Sequence, residues 1–451
     1  MPKLSAESDL EYKRRVIDIK SASFCAAKWY NATIWLGSGQ TTSCHHPPAH
    51  SINVDDIKHS PSALHNTQKK KLEREQMQRG ERPSGCEYCW KIEDMSATAV
   101  SDRVYKTVLY SDEDLAHAFR TPASTDWNLQ TLEIAFDRTC QFACSYCNPA
   151  FSSTWVKDIR VNGPYRDLVS DGRNHFTHPH DASQLYKFDE TNPYVEAFFK
   201  WWDSDLHQTL KELRITGGEP LMSGHTWKLI EWFKSNVGKS QTRLAINTNL
   251  GLTAPKMSEF INAIAPLPHV EIYTSNEATG AQAEYIRDGL DYDQWVKNMH
   301  VLCQSGAAKA VHVMCTINAL CLDSLPDFLD HMVMLKIRYG RDFPNFTLNI
   351  LRFPSFQSPL VLPLTVRQQS ADRLTQFLAR HKDFNYLHEH EIAHVERLIK
   401  YLTDVETPHS EAFDMLSLHN DFRKFYQQYD QRRGKDFATT FESLKDFYVG
   451  Q

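Results

Sequence analysis

The feature that most constrains the fold is an alternation of short strand-like runs with helical stretches between residues 131 and 352. The strand-like runs are TLEIAF, ELRITGG, RLAINTN, VEIYTS, AVHVMCTIN and FTLNILRF. Strands that alternate with helix-sized intervals form βαβ units, in which the strands run parallel and the helices lie outside. The pattern therefore predicts an α/β fold with a parallel sheet or partial barrel.

The rest of the chain divides around this central region. Residues 20–100 contain little periodic structure but include four cysteines and a charged, helical run, NTQKKKLEREQMQRGE. Beyond residue 353, apolar positions recur at helical spacing. We predict an N-terminal extension (1–19), a cysteine-containing domain (20–100), the α/β domain (131–352) and a helical C-terminal region (353–451).

Composition narrows the class of protein. A chain of 451 residues that is 41% hydrophobic can bury a large core. No stretch approaches the roughly 18 uninterrupted apolar residues of a membrane span, and the opening MPKLSAESDLEYKRR has no apolar signal core. We expect a cytoplasmic protein with no membrane contact. The net charge of -6 argues against a surface built to hold nucleic acid.

Three cysteines, Cys140, Cys144 and Cys147, follow the first strand-like run in FDRTCQFACSYCNPAF. In a parallel barrel this loop lies at the C-terminal face of the strands, where active sites occur. Clustered cysteines of a reducing compartment are metal ligands or catalytic groups more often than disulfides. Three thiolates can hold a [4Fe-4S] cluster and leave its fourth iron open, whereas a structural cluster normally has four cysteines. A zinc site or chance clustering is the alternative.

This CxxxCxxC spacing resembles the signature of the radical S-adenosylmethionine superfamily. The resemblance implies a partial (β/α)6 TIM-like barrel, a [4Fe-4S] cluster and S-adenosylmethionine bound to the open iron through its amino and carboxylate groups. It also implies reductive cleavage to methionine and a 5'-deoxyadenosyl radical, which abstracts hydrogen from a C–H bond. Tyr146 would lie near the adenine.

Two further segments carry the resemblance. Gly217, Gly218 and Glu219 in RITGGEP match the family's GGEP motif. A carboxylate there pairs with the methionyl ammonium, and glycines allow close backbone approach. The run INTNLG resembles the family's fourth-strand segment, which implies that Thr248 and Asn249 lie near the ribose.

The fourth-strand segment departs from the family pattern at one position, because in INTNLG Leu250 displaces the usual glycine to Gly251. A third segment, YTSNEATGAQAEYIRDG, resembles the family's fifth-strand segment. This resemblance implies that Ser275 meets the ribose and Arg287 the methionyl carboxylate. The alternatives are a serine at the edge of the core and a surface arginine.

The four N-terminal cysteines are Cys25, Cys44, Cys86 and Cys89. Soft ligands in a weakly hydrophobic region suggest that a metal organises it. The segment LHNTQKKKLEREQMQRGERPSGCEYC resembles the cluster-binding segment of SPASM and twitch domains, which implies an auxiliary [4Fe-4S] cluster. Here the segment precedes the barrel instead of following it. Zinc is the alternative, because His45 or His46 could replace a thiolate.

Other features receive simpler interpretations. Alternation in VHVMCTIN predicts a polar face toward the barrel interior. The candidate substrate contacts are His312, Met314, Thr316, Asn318, Tyr273 and Asn349. HEIAH at 390–394 matches the zinc-protease motif HExxH but is interpreted as the solvated face of a helix. NHFTHPHD at 174–181 is predicted to be an exposed loop, and Cys303, Cys315 and Cys321 to be buried thiols.

The sequence thus predicts a radical S-adenosylmethionine enzyme that acts on a peptide or a small amino-acid-like or sugar-like molecule. An auxiliary cluster would assist, and a flavodoxin- or ferredoxin-type protein would donate electrons. Two alternatives remain open. One is a radical enzyme that modifies tRNA, supported by the basic run KKKLERE. The other is a non-catalytic metal-binding or electron-transfer module.

Overall fold

The computed structural model describes residues 3–4, 6–169, 171, 176, 191–405 and 414–450. Within these ranges, none of the helices combines the length and hydropathy that crossing a bilayer would require. The described residues fall into two compact units. The first lies within Met1–Asp137, Gln184–Ile215 and Ser240–Leu244, and the second within Arg138–Ser183, Thr216–Lys239 and Ala245–Gln451.

The strands of the described residues belong to one sheet. They are β1 (Asn31–Trp35), β2 (Gln40–Thr42), β3 (His50–Ser51), β4 (Thr131–Ala135), β5 (Glu212–Thr216), β6 (Arg243–Thr248), β7 (Val270–Ser275), β8 (Ala310–Ile317) and β9 (Asn345–Ile350). Their order is β3-β2-β1-β4-β5-β6-β7-β8-β9. Strand β1 pairs antiparallel with β2 and parallel with β4, and β8 pairs parallel with both β7 and β9.

The α-helices of the described residues are α1 (Asp9–Tyr12), α2 (Ala27–Tyr30), α3 (Val54–His59), α4 (Gln68–Gln78), α5 (Glu87–Met95), α6 (Asp102–Thr107), α7 (Asp112–Arg120), α8 (Ser153–Asn162), α9 (Pro193–Trp201), α10 (His207–Thr209), α11 (Gly224–Ser235), α12 (Ala254–Ile264), α13 (Gly280–Ile286), α14 (Tyr292–Ser305), α15 (Leu325–Tyr339), α16 (Leu364–His381), α17 (Glu389–Asp404), α18 (Met415–Arg433), α19 (Phe437–Thr440) and α20 (Lys445–Val449). Short 3-10 or π-helical turns occur at Lys13–Ile17, Pro61–Leu64, Ser84–Cys86, Trp202–Leu206, Pro220–Met222, Ser355–Gln357, Pro359–Val361, Lys382–Phe384 and Glu442–Leu444.

The six strand-like runs of the sequence are β4 to β9, and each is followed by at least one helix. The predicted α/β fold with a (β/α)6 order of elements is therefore confirmed. In β8, Val311, Val313 and Cys315 are buried while the alternate positions are half-buried. This period of two gives the sheet one apolar face and one partly exposed polar face, as the sequence predicts.

The N-terminal region contains more regular structure than the sequence indicates. The charged run at 66–81 contains α4, as predicted, but the expectation of little periodic structure over 20–100 is wrong. Strands β2 and β3 are three and two residues long, which is too short for a period of two to be recognised. The predicted domain boundaries stay predictions.

Each unit has its own aromatic core. In the first unit, Phe24, Trp29 and Trp90 are buried around the segments that carry the N-terminal cysteines. In the second unit, Trp155 packs against Phe425 and Tyr429 of α18, with ring centroids 6.4 Å apart in both pairs. The C-terminal helices of the second unit therefore pack against α8, the helix that follows the central cysteines.

Candidate functional site

The central cysteine loop connects β4 to α8, and the start of α8 holds it in place. The Thr154 hydroxyl donates to the Cys140 carbonyl at 2.7 Å, and the Trp155 indole N–H donates to the Cys144 carbonyl at 2.9 Å. Ser152 accepts from the Trp155 amide as the N-cap of α8. The residues that begin the helix thus also fix the carbonyl groups of the cysteine loop.

The three thiols of this loop are partly buried. Burial raises the pKa of Cys140 to about 11 and that of Cys147 to about 12, and it also raises the pKa of Cys144. Thiols with such high pKa values stay protonated near neutral pH and are poor nucleophiles. Binding to a metal displaces the proton. The set therefore suits metal coordination, including the three-cysteine ligation of an iron-sulfur cluster.

The two glycines of GGEP are required for different reasons, a backbone conformation at Gly217 and a contact with the cysteine loop at Gly218. Gly217 has a φ of 125°, a conformation that residues with a side chain rarely adopt. A Cβ at Gly218 would lie 2.3 Å from the Thr139 carbonyl oxygen. Next to it, the Glu219 amide donates to that same oxygen at 2.6 Å. The sequence interpretation expected these glycines to allow close approach to a ligand. In the structure, Gly218 allows close approach to the backbone that precedes Cys140.

Glu219 connects β5 and β6 to this loop. Its buried carboxylate accepts hydrogen bonds from the Thr248 hydroxyl at 2.8 Å and the Asn249 amide at 2.6 Å. The Asn249 side-chain nitrogen lies 3.9 Å from Cys140 Sγ. Burial raises the pKa of Glu219 to about 7. A buried carboxylate held at the edge of a thiol cluster is suited to bind an ammonium group.

The displaced glycine of INTNLG has a structural explanation. Leu250 has a φ of 56°, the left-handed conformation that glycine usually occupies. Gly251 is required for a different reason, because a Cβ there would lie 2.5 Å from Cζ of Phe142. The structure thus places Thr248 and Asn249 beside Glu219 despite the shift of the glycine by one position.

Arg287 lies against the cysteine loop instead of on the surface. It is 4% exposed, and its Nη2 forms an ion pair with Glu277 Oε2 at 2.5 Å. Its Nη1 lies 4.0 Å from Cys144 Sγ, and its Cζ lies 5.6 Å from the centre of the Tyr146 ring. The surface-arginine alternative is therefore wrong. Ser275, at the end of β7, is half-buried on the polar face of the sheet.

The sequence interpretation did not include Glu277, which is fully buried between Arg287 and Tyr146. The Tyr146 hydroxyl donates to Glu277 Oε1 at 3.1 Å. The signal that could have found it is a carboxylate directly after a strand in YTSNE, at the edge where parallel strands form sites. Nothing in the local spacing shows that Glu277 pairs with an arginine ten positions later, since that contact depends on the turn between them.

HEIAH has a structural role that the sequence interpretation missed. Glu391 is fully buried, pairs with Lys336 at 3.1 Å and accepts from the Phe346 amide at 2.9 Å. His394 Nδ1 accepts from the Leu348 amide at 3.1 Å. The interpretation of this stretch as a solvated face fits the exposed His390 but is wrong for Glu391, which faces β9 and α15.

The structure gathers the four N-terminal cysteines around one cavity. Cys25, Cys44, Cys86 and Cys89 all line it. Burial raises the pKa of Cys25 to about 12 and that of Cys86 to about 11. Because these residues come from three separate segments, the fold and not local spacing brings them together. In the described ranges, no three His, Cys, Asp or Glu side chains converge as one metal ion would require.

Charged side chains complete the lining of this cavity. Lys28 is 2% exposed and pairs with Glu73 at 2.5 Å. Burial favours a lower pKa for Lys28, but Cys86 and Glu73 raise it on balance. His46 also lines the cavity, and its Nε2 lies 2.6 Å from Asp102. A buried cation next to four thiols would offset the negative charge of a metal-thiolate group.

The remaining predicted residues are placed as follows. Cys303, Cys315 and Cys321 are buried, as predicted. Asn318 is buried directly after β8, whereas Asn349 is exposed. The predicted loop at 174–181 lies outside the described residues apart from Phe176.

Comparisons with known proteins give matches only among solved structures. No protein-family model matches the sequence, and no curated protein matches it. Native anSMEcpe with bound AdoMet matches with 13% identity and a TM-score of 0.35, over 56% of this chain and 61% of that chain. Streptococcus suis SuiB bound to S-adenosylmethionine matches with 11% identity and a TM-score of 0.37, over 77% and 69%. SuiB bound to the precursor peptide SuiA matches with 12% identity and a TM-score of 0.35, over 79% and 70%.

The first two of these solved structures contain bound S-adenosylmethionine, and the third contains a bound precursor peptide. The anSMEcpe match leaves more than a third of that protein uncovered.

Proposed function

We propose that this chain is a radical S-adenosylmethionine enzyme. One observation carries the proposal: Glu219 is docked on the backbone of the cysteine loop and bonded to Asn249, which reaches Cys140. Two motifs far apart in sequence thus meet at one point. The three thiols fit a cluster with one open iron, and the buried carboxylate beside them fits the ammonium of S-adenosylmethionine.

The proposed roles follow from these positions and from the family resemblance. The thiols of Cys140, Cys144 and Cys147 hold the [4Fe-4S] cluster. Glu219 binds the methionyl ammonium of S-adenosylmethionine, and Arg287 binds its methionyl carboxylate. The ribose contacts Thr248, Asn249 and Ser275, and the adenine lies near Tyr146. Gly217 and Gly218 permit close approach of the backbone to the ligand. When bound, cluster and S-adenosylmethionine supply a 5'-deoxyadenosyl radical for hydrogen abstraction.

One detail supports a ligand beside Arg287. Its Nε is buried and has no hydrogen-bond partner in the part of the chain that the structure describes. A buried guanidinium nitrogen without a partner costs free energy, and an acceptor such as a carboxylate would satisfy it. Arg287 therefore keeps a donor for the methionyl carboxylate although Glu277 occupies its Nη2.

The N-terminal cysteines are proposed to hold an auxiliary [4Fe-4S] cluster. Support comes from the four thiols around one cavity and from the buried Lys28 beside them. Zinc stays the alternative, with His45 or His46 in place of a thiolate: His46 lines the cavity, and the bond of its Nε2 to Asp102 leaves Nδ1 able to bind a metal.

The substrate is proposed to be a peptide or a small amino-acid-like or sugar-like molecule. The partly exposed face of the sheet offers polar contacts near the site. Tyr273 of β7 stacks on His312 of β8 with ring centroids 4.5 Å apart. Ser275 lies on the same face and pairs in register with Met314. A flavodoxin- or ferredoxin-type protein is the proposed electron donor.

The tRNA alternative loses its main support. The basic run KKKLERE lies in α4, where Lys70 and Arg74 are fully buried. Lys71 forms an ion pair with Asp126 at 2.6 Å. The run is therefore not a continuous basic surface of the kind that binds phosphates.

The test uses anaerobically reconstituted protein reduced with dithionite. We expect release of 5'-deoxyadenosine from S-adenosylmethionine, loss of that release in Cys144→Ala, and retention in the control Cys303→Ala, which removes a buried thiol of α14. Wild-type protein that binds iron at the loop yet releases no 5'-deoxyadenosine would refute the proposed activity.

Metal analysis of the same preparations tests the second site. We expect about eight iron atoms per chain, as two four-iron clusters require, and a loss of half in Cys86→Ala. One zinc with only four iron atoms would rule out the auxiliary cluster.

A further inference from the structure

Glu277 and Arg287 form a buried charge pair that lies directly against the central cysteine loop. Their side chains are 1% and 5% exposed, and the charged atoms are 2.5 Å apart. The Tyr146 hydroxyl donates to Glu277 at 3.1 Å, and the Thr316 amide lies 3.4 Å from it. Charges in such a desolvated position act on their neighbours far more strongly than charges in water.

The backbone fixes Arg287 at this position. The Ala143 amide donates to the Asp288 carbonyl at 2.8 Å, and the Ser145 amide donates to the Ile286 carbonyl at 2.7 Å. These bonds join the segment around Arg287 to both sides of Cys144. They bring the guanidinium within 4.0 Å of Cys144 Sγ.

We propose that this pair sets the reduction potential of the cluster, with Arg287 as the charge acting on it and Glu277 as a positioning residue that also offsets that charge. This inference rests on the proposed function, because it assumes a cluster on Cys144. Reduction adds one negative charge to a cluster. A fixed cation beside a ligand sulfur therefore stabilises the reduced state, and a carboxylate behind it weakens that effect.

The two charges must then have opposite effects on the potential. In Arg287→Gln the carboxylate is left alone, so we expect the ratio of reduced to oxidised cluster at a fixed potential to fall about tenfold, which is about 59 mV for a one-electron couple. In Glu277→Gln the acceptor for Tyr146 is kept and the guanidinium is left uncompensated. We expect the ratio to rise by a similar factor.

The measurement is a redox titration followed by electron paramagnetic resonance on the full-length reconstituted protein. The resonance signal of the cluster on Cys140, Cys144 and Cys147 is identified as the one that changes when S-adenosylmethionine is added. The double variant Glu277→Gln/Arg287→Gln should return to near the wild-type potential, because both charges are gone. Iron content and circular dichroism check each variant for an intact cluster and fold.

The outcomes separate this inference from the proposed function. Opposite shifts with restoration in the double variant support it, whereas shifts in the same direction, or none, in variants with full iron content overturn it. If Arg287→Gln fails to fold, Arg287→Lys and Glu277→Gln keep the proposal testable: Arg287→Lys keeps the charge and should stay near the wild-type potential, whereas Glu277→Gln should raise the ratio, and an unchanged ratio in Glu277→Gln overturns the proposal. If wild-type protein forms the cluster and releases 5'-deoxyadenosine while the potentials stay fixed, only this inference fails. Wild-type protein without a cluster at the loop refutes both.

Discussion

At the scale of single residues, Gly218 leaves no room for a side chain, because a Cβ there would lie 2.3 Å from the Thr139 carbonyl oxygen. We expect Gly218→Ala to displace the loop that begins at Cys140, to cost about 1–3 kcal/mol of stability, and to reduce the iron bound at that loop. Thermal unfolding and iron analysis measure both effects. Gly224→Ala is the matched control, since a Cβ at Gly224 meets nothing within 4 Å. Normal iron binding by Gly218→Ala would contradict the explanation.

Glu219 makes the stability of the metal-free protein depend on pH. Burial raises its pKa from the usual 4.5 to about 7, so the folded protein holds this proton more tightly than the unfolded chain. The resulting stabilisation is complete below about pH 4.5 and is lost as the pH rises through 7. At about 1.4 kcal/mol per pKa unit, the loss is roughly 3 kcal/mol.

The measurement compares wild type with Glu219→Gln, which cannot titrate. Urea unfolding of both proteins between pH 4.5 and 8 isolates this one group from all others. We expect the stability of wild type relative to the variant to fall by roughly 3 kcal/mol over that range. A constant difference would mean that Glu219 does not titrate within it.

At the scale of elements, Glu391 joins α17 to α15 and β9. It pairs with Lys336, both side chains are 0% exposed, and it accepts from the Phe346 amide. Removing one partner leaves a buried charge, so we expect Glu391→Ala to lower the free energy of unfolding by about 3–5 kcal/mol. Glu396→Ala on the same helix breaks an exposed pair with Lys382 and should cost about 0.5 kcal/mol. Equal costs in urea unfolding would contradict this assignment.

The C-terminal helices also take part in shaping the site. The Tyr429 hydroxyl of α18 donates to the Ala143 carbonyl at 3.1 Å, and the side-chain amide of Gln357 donates to the Ser145 carbonyl at 3.0 Å. Periodicity in the sequence predicts that this region is helical. It does not predict that the region fixes the cysteine loop, because hydrogen bonds between distant segments leave no local pattern.

At the scale of the whole molecule, the chain contains two groups of cysteines that arise in different ways. The central group lies on one loop, so its spacing alone indicates a metal site. The N-terminal group comes from segments far apart in the sequence, and only folding places Cys25 and Cys44 beside Cys86 and Cys89. The run KKKLERE is a basic patch in the sequence, but it does not form a basic surface in the folded protein, because Lys70 and Arg74 are buried.

The sequence by itself determined the order of β4 to β9 and of the helices between them, the cysteine loop and the GGEP glutamate, because periodicity and short motifs act between residues close along the chain. Tertiary structure alone decided that Glu277 pairs with Arg287, that Lys28 borders the N-terminal cysteines, and that Glu391 is buried. The physical reason is that burial and ion pairing depend on which distant segments pack together, and that information is spread over the whole chain instead of residing in any one motif.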